Sequence, residues 1–108
     1  MAQPAPVLSS AATARAQALG GRLRTARLRQ RTRQADLASA SGISTATLRK
    51  LENGDATVSL AALISVLDTL GMGEDIADVA ATDPVGRSML DETIKGLPRG
   101  RRQAWAPA

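Results

Sequence analysis

Apolar side chains recur through the first 81 residues at the three- and four-residue spacing of amphipathic helices. The most regular run is opened by Ser59 and ended by Gly71, and it has leucine or isoleucine at positions 60, 63, 64, 67 and 70. Shorter runs stop at Gly42 and Gly54, where glycine can take the left-handed backbone that commonly follows a helix. This pattern predicts five helices, over residues 16–30, 34–40, 45–53, 59–70 and 74–80.

The chain continues on both sides of this 16–81 domain. Residues 1–15 are rich in Pro, Ala and Ser without periodicity, so we expect a flexible N-terminal arm. In the extension formed by residues 82–97, Asp83 and Pro84 form an N-cap and first-turn pair, which predicts an additional helix reaching Lys95. Residues 98–108 lack periodicity and are expected to be a flexible basic tail. The predicted fold class is all-α, a five-helix bundle with an additional C-terminal helix.

The amino-acid composition removes most catalytic and metal-binding chemistry. The chain has no Cys, His, Tyr or Phe, so thiol and imidazole catalysis, Cys/His zinc sites and tyrosine or phenylalanine base-stacking platforms lack their side chains. We therefore expect no enzyme activity, no cofactor and no metal. The absence of cysteine favours the cytoplasm, and no apolar run approaches the roughly 20 residues that cross a bilayer, so no membrane partner is expected.

Charge is distributed unevenly along the chain. Residues 1–54 carry nine basic and two acidic side chains, residues 55–98 carry two basic and eight acidic, and residues 99–108 carry three basic and none acidic. Twelve of the 14 cations are arginine, whose planar guanidinium suits phosphate oxygens and base edges. The N-terminal half is therefore expected to face a polyanion.

Two short helices joined by a tight turn at Gly42 form a helix-turn-helix on physical grounds. The order of Gln34, Leu37-Ala38, Gly42-Ile43-Ser44, Leu51-Glu52-Asn53-Gly54 and Ser59-Leu60 strongly resembles the XRE/Cro/C1 family of DNA-binding domains, over about residues 19–81. The resemblance implies a lambda-repressor-like five-helix bundle that binds double-stranded operator DNA as a homodimer and acts as a transcriptional repressor.

The resemblance also implies roles for single residues. The second helix of the motif would enter the major groove, where base edges present a readable pattern. As the alternative to DNA contact, the small side chains among these candidates would form ordinary helix surface and the cationic ones would be solvated. Arg31 and Arg49 are selected by their charge alone. The base-contact candidates are Thr45, Ala46, Thr47 and Lys50, and the phosphate-contact candidates are Arg31, Arg33, Gln34, Ser44, Arg49 and Asn53.

Two further positions carry charge that bears on the site. Arg27 and Glu52 match an ion pair that ties the first helix to the third in the family, with a surface charge cluster as the alternative. Asp55 departs from the family, whose members often carry a cation in this loop, and an acid there is expected to weaken contacts with the DNA backbone.

The C-terminal stretch has a softer resemblance. Residues 83–102 are similar to the extension of XRE regulators of the HipB antitoxin type, which pair with HipA-like kinase toxins. Trp105 is the only aromatic residue, and with Arg101 and Arg102 it forms a candidate partner-binding tail. An unpacked tail, or arginines that contact DNA, are the alternatives, and a stand-alone repressor without a toxin partner is the competing function.

Overall fold

The computed structural model describes residues 4–93, with side chains to residue 90, and this part of the chain is helical without strands. The all-α prediction is confirmed. The described residues divide into two units, one ending at Ala77 and the other beginning at Asp78. The helices are α1 (Ser10–Arg29), α2 (Gln34–Ser41), α3 (Thr45–Glu52), α4 (Leu60–Thr69), α5 (Glu74–Asp78) and α6 (Pro84–Thr93).

Serine side chains cap three of these helices. Ser9, Ser44 and Ser59 each accept a hydrogen bond from the backbone N–H three residues on, over 3.1, 3.0 and 3.1 Å respectively. Each bond satisfies one of the N–H groups that have no partner inside the helix, which is typically worth about 1 kcal/mol. The starts of α1, α3 and α4 are therefore set locally.

The core of the first unit forms where α1, α2, α3 and α4 pack together, with α1 against α3 and α2 against both α3 and α4. Leu23, Leu37, Leu48 and Val66, one from each helix, are fully buried at its centre. Leu60 begins the most regular apolar run of the sequence, yet it is 63% exposed because it lies in the first turn of α4.

The first helix is longer than predicted. It begins at Ser10 rather than Ala16, so residues 10–15 are helical and the predicted arm is wrong there. No apolar stripe marks these residues, but alanine has the highest helix propensity and Ser9 supplies the cap. The first turns of α1 therefore form because of helix propensity, which the hydrophobic pattern does not reveal.

The second unit contains the predicted additional helix. Asp83 accepts a hydrogen bond from the backbone N–H of Gly86 over 2.8 Å, so the predicted N-cap is present and α6 begins at Pro84. The helix reaches Thr93, and the predicted end at Lys95 lies outside the described residues.

None of the described helices is both long enough and apolar enough to cross a bilayer.

Candidate nucleic-acid interface

A three-residue turn joins α2 to α3. Gly42 has φ 72°, the left-handed conformation that suits glycine. The backbone N–H groups of Gly42 and Ile43 donate to the carbonyls of Ser39 and Ala38 over 3.1 and 3.0 Å, which closes the end of α2. The Ser44 cap then starts α3, so Gly42 ends one packed helix and Ser44, two residues later, begins the next.

The third helix has one buried and one exposed face. Leu48, Leu51 and Glu52 are buried. Since successive residues are about 100° apart around a helix, the positions opposite them are 46, 49, 50 and 53. All four side chains are exposed, and we call them the outer face of α3: Ala46, Arg49, Lys50 and Asn53.

The four base-contact candidates do not share one environment. Ala46 and Lys50 lie on the outer face of α3, whereas Thr45 and Thr47 are half-buried on its flanks. The Ser44 hydroxyl donates to Thr47 Oγ1 over 2.9 Å while accepting from the Thr47 backbone N–H. Ser44, a phosphate-contact candidate, therefore uses its side chain within the cap.

Arg49 and Asn53, predicted to contact phosphates, share the outer face with Ala46 and Lys50. The structure does not separate them from the base-contact positions. The spacing of positions 46, 49, 50 and 53 in the sequence could have predicted this shared face, because residues three and four apart lie on one side of a helix.

The remaining phosphate-contact candidates surround the start of α2. Arg31 is exposed and has φ 54°, a left-handed backbone that is uncommon outside glycine. The exposed Arg33 Nε donates to Asp36 Oδ2 over 3.1 Å. Gln34 is half-buried, and its Nε2 donates to Glu52 Oε1 over 3.0 Å, so its amide is held by α3.

Glu52 is the centre of a buried polar network. Arg27 donates from Nε to Glu52 Oε2 over 2.7 Å and from Nη2 to Oε1 over 3.0 Å, which is the predicted ion pair in bidentate form. The third nitrogen, Nη1, donates to the Thr32 carbonyl over 3.0 Å. Arg27 and Glu52 are 6% and 5% exposed. Together with Gln34, the network joins α1, the loop after it, α2 and α3.

Glycine allows α1 to approach the end of α3 closely. A Cβ atom added at Gly20 would lie 2.5 Å from the Leu51 carbonyl oxygen and 2.6 Å from that of Glu52. One added at Gly54, where φ is 81°, would lie 2.5 Å from the Cα of Gln17. The loop after α3 is therefore seated directly on the backbone of α1.

In the first unit, most cationic side chains form no ion pair, whereas its first two acidic side chains each pair with an arginine. Asp36 pairs with Arg33, and Glu52 pairs with Arg27. Within the part of the chain that the structure describes, the side chains of the following exposed cations make no hydrogen bond or ion pair: Arg15, Arg22, Arg24, Arg29, Arg31, Arg49 and Lys50. This excess of cationic groups without an ion-pair partner suits a polyanion.

Asp55 reduces this positive charge beside α3. Its Oδ1 accepts from the Thr57 hydroxyl over 2.6 Å and from the Thr57 backbone N–H over 2.9 Å. These two hydrogen bonds, with a smaller contribution from the charge of Lys50, lower the pKa of Asp55 below its ordinary value. Asp55, which departs from the pattern of the family that the sequence resembles, therefore stays ionised and organises the loop.

The candidate partner-binding tail, Arg101, Arg102 and Trp105, lies outside the described residues.

Comparison with known proteins identifies the domain. The family model described as a helix-turn-helix domain matches residues 18–81, more than half of the 108-residue chain. The match covers α2, the turn and α3, and all of α4 and α5. A search of the curated proteins finds no match to the chain.

Proposed function

Because the chain belongs to the helix-turn-helix domain family, we propose that it is a sequence-specific regulator of transcription that reads duplex DNA with α3. The observation that carries the proposal is the outer face of α3. This face presents two cations and an amide to solvent, on a helix whose opposite side is fixed in the core. None of these side chains is used to hold the fold.

The chemistry of the outer face matches the major groove. Arg49 and Lys50 can donate to the O6 and N7 acceptors of guanine, Asn53 can bond adenine or a phosphate, and the Ala46 methyl fits a thymine methyl. At the start of α2, the backbone N–H groups near Gln34 and the helix dipole favour a phosphate.

The finer assignment is a repressor of the XRE/Cro/C1 type that works in the cytoplasm as a homodimer. One α3 covers only a few base pairs, so a two-fold operator requires two copies. The resemblance of residues 19–81 to that family supports the proposal. Light scattering at micromolar concentration is expected to give a dimer, and a monomer both with and without operator would contradict it.

The test of DNA reading is selection of binding sequences from a random-sequence duplex library with the full chain. We expect one sequence to be enriched. Lys50→Ala is expected to weaken binding to it by about tenfold, since a good base contact contributes roughly 1–3 kcal/mol of discrimination. Arg87→Ala on α6 removes an exposed cation elsewhere and is expected to bind as the wild type does. Failure to enrich any sequence would refute the proposal.

A second candidate function is the antitoxin of a HipA-like kinase. The observation that favours it is α6, whose Val85 and Leu90 are 69% and 42% exposed on a helix outside the matched domain. Affinity capture from the native host, with the full chain and with a chain ended after Leu97, distinguishes the cases. A kinase held by both chains supports the antitoxin with α6 as the contact, and a kinase held only by the full chain supports it with residues 98–108 as the contact. Recovery of DNA alone favours the stand-alone repressor.

A further inference from the structure

The first helix carries a second line of positive charge. Its side chains follow one another at intervals of three and four residues, and all five are exposed. The line extends for about 21 Å, at 1.5 Å per residue. We call it the α1 stripe: Arg15, Ala18, Arg22, Thr25 and Arg29.

The α1 stripe lies on the side of α1 that faces away from α3. Gly20 contacts the carbonyls at the end of α3, and Arg27 on the same flank pairs with Glu52. Arg22 follows Gly20 by two residues, which places it about 160° away around the helix axis, and Arg29 is about 180° away. Side chains on the stripe are therefore directed away from the helix that reads DNA.

No acid neutralises the stripe within its own unit. The first 35 residues contain no Asp or Glu. Of the acids that follow, Asp36 and Glu52 are paired with other arginines, and the unit's remaining acids form no ion pair among residues 4–93: Asp55, Asp68, Glu74 and Asp75. The side chains of the stripe's arginines make no ion pair or hydrogen bond within the same residues. On the flank between the stripe and the core, Gln30 donates to the Leu70 carbonyl over 2.8 Å, so α4 approaches with a neutral contact.

The chemistry of the stripe selects its partner. A protein interface normally has a buried apolar centre, whereas the stripe offers only alanine and threonine between its arginines. Exposed ion pairs with an acidic protein surface contribute about 0–1 kcal/mol each. Phosphates of a duplex release condensed counterions when they are neutralised, and small residues between arginines let a backbone approach. We infer that the α1 stripe binds the sugar–phosphate backbone of a second segment of duplex DNA.

This inference goes beyond the proposed function, because a copy whose α3 occupies one duplex then holds another on its opposite side. The stripe contacts phosphates, so it binds the second segment whatever its base sequence. The protein would thereby bring together two distant segments of DNA, or two turns of one segment.

The experiment is a two-duplex capture with the full chain. The enriched duplex from the selection is immobilised and loaded with protein, and a fluorescent duplex of random sequence is then added. The stripe variant is Arg15→Gln with Arg22→Gln. The control is Arg24→Gln with Arg87→Gln, which removes the same charge from exposed positions off the stripe.

We expect the stripe variant to retain the immobilised duplex as the wild type does, but to capture at least about tenfold less of the second duplex. The slope of log affinity against log salt for the second duplex should become shallower by roughly 2, since two phosphate contacts are lost. The control should capture as the wild type does. All four arginines are exposed, so the thermal midpoint should not change.

Several results would overturn the inference. Undiminished capture by the stripe variant would show that the second duplex is held elsewhere. An equal loss of second-duplex capture in the control would show that capture depends on the total charge of the chain and not on the position of the arginines. A parallel loss of affinity for the immobilised duplex would place the stripe on the same segment as α3, and a change in mass by light scattering would assign it to a second copy of the chain. The proposed function fails separately, through a selection that enriches no sequence.

Discussion

Substitution of Gly20 by alanine tests the close approach of α1 to the end of α3. The added methyl would meet two carbonyl oxygens at 2.5 and 2.6 Å and the backbone nitrogen of Gly54 at 2.8 Å. All three are backbone atoms of α3 and its following turn, so no side chain can rotate aside. The neighbouring Gly21 is exposed and has nothing within 4 Å of its added Cβ, which makes Gly21→Ala a matched control in the same helix.

The two substitutions are expected to change stability in opposite directions. Alanine in place of glycine inside a helix stabilises by up to about 1 kcal/mol, and this gain applies to both positions. At Gly20 it is opposed by overpacking, which costs about 1–3 kcal/mol in general and the upper end here because backbone must move. We expect Gly20→Ala to lower the free energy of unfolding by about 2 kcal/mol, and Gly21→Ala to raise it by up to about 1 kcal/mol.

Urea unfolding followed by circular dichroism at a helix wavelength measures the free energy of unfolding of both variants, and thermal unfolding followed in the same way measures their midpoints. In a domain of this size, each kcal/mol corresponds to roughly 4–8 °C in thermal midpoint, so the two variants should differ by more than about 10 °C. Equal stabilities would show that α1 and α3 are not in backbone contact. The measurement would then refute the packing on which the position of the α3–α4 loop depends.

Three other changes test the site. Glu52→Ala should destabilise by about 3 kcal/mol, because it leaves Arg27 charged and unpaired in the core, and an unchanged urea midpoint would contradict this. Arg31→Gly should raise stability by up to about 1 kcal/mol, because glycine takes a left-handed backbone freely, and it should weaken binding to the selected duplex. A loss of stability would contradict the strained backbone at this position, and full binding would argue against a phosphate contact. Thr57→Val should raise the pKa of Asp55, measured by NMR titration, towards its ordinary value. Because the wild-type pKa is lowered, the stability that this carboxylate contributes is present above its ordinary pKa and is lost as pH falls through the lowered one. A Thr57→Val protein, which keeps the backbone N–H donor but lacks the hydroxyl, should therefore lose less stability in that range. A pKa unmoved by the substitution would exclude the Thr57 hydroxyl bond as a cause of the lowered pKa.

Local signals in the sequence account for most of the fold. The helix ends at Gly42, Gly54 and Gly71 were predictable because each glycine follows an apolar run, and all three have positive φ. The start of α1 was not, since residues 10–15 carry helix propensity without an apolar face. Patterns of burial cannot detect a helix that has little to bury.

The candidate site was predictable only in outline. The family resemblance, and no spacing rule, implied the pairing of Arg27 with Glu52, and the structure contains that pair. The sequence did not predict that Thr47 is half-buried while Arg49 is exposed, because this difference depends on which flank of α3 the core covers. The contact of Gly20 with the end of α3 joins segments about 30 residues apart in sequence, and no local rule reports a pairing of that kind.

Under the proposed function, the side chains that read DNA, on the outer face of α3, are separate from those that keep the domain folded. Ala46, Arg49 and Asn53 make no side-chain hydrogen bond or ion pair within residues 4–93, and Lys50 interacts only through its charge near Asp55. Surface substitutions of this kind usually change stability by less than about 0.5 kcal/mol. If α3 reads DNA as proposed, descendants of this chain can therefore change the sequence they bind by single mutations on one helix face, and these mutations do not cost the stability of the fold.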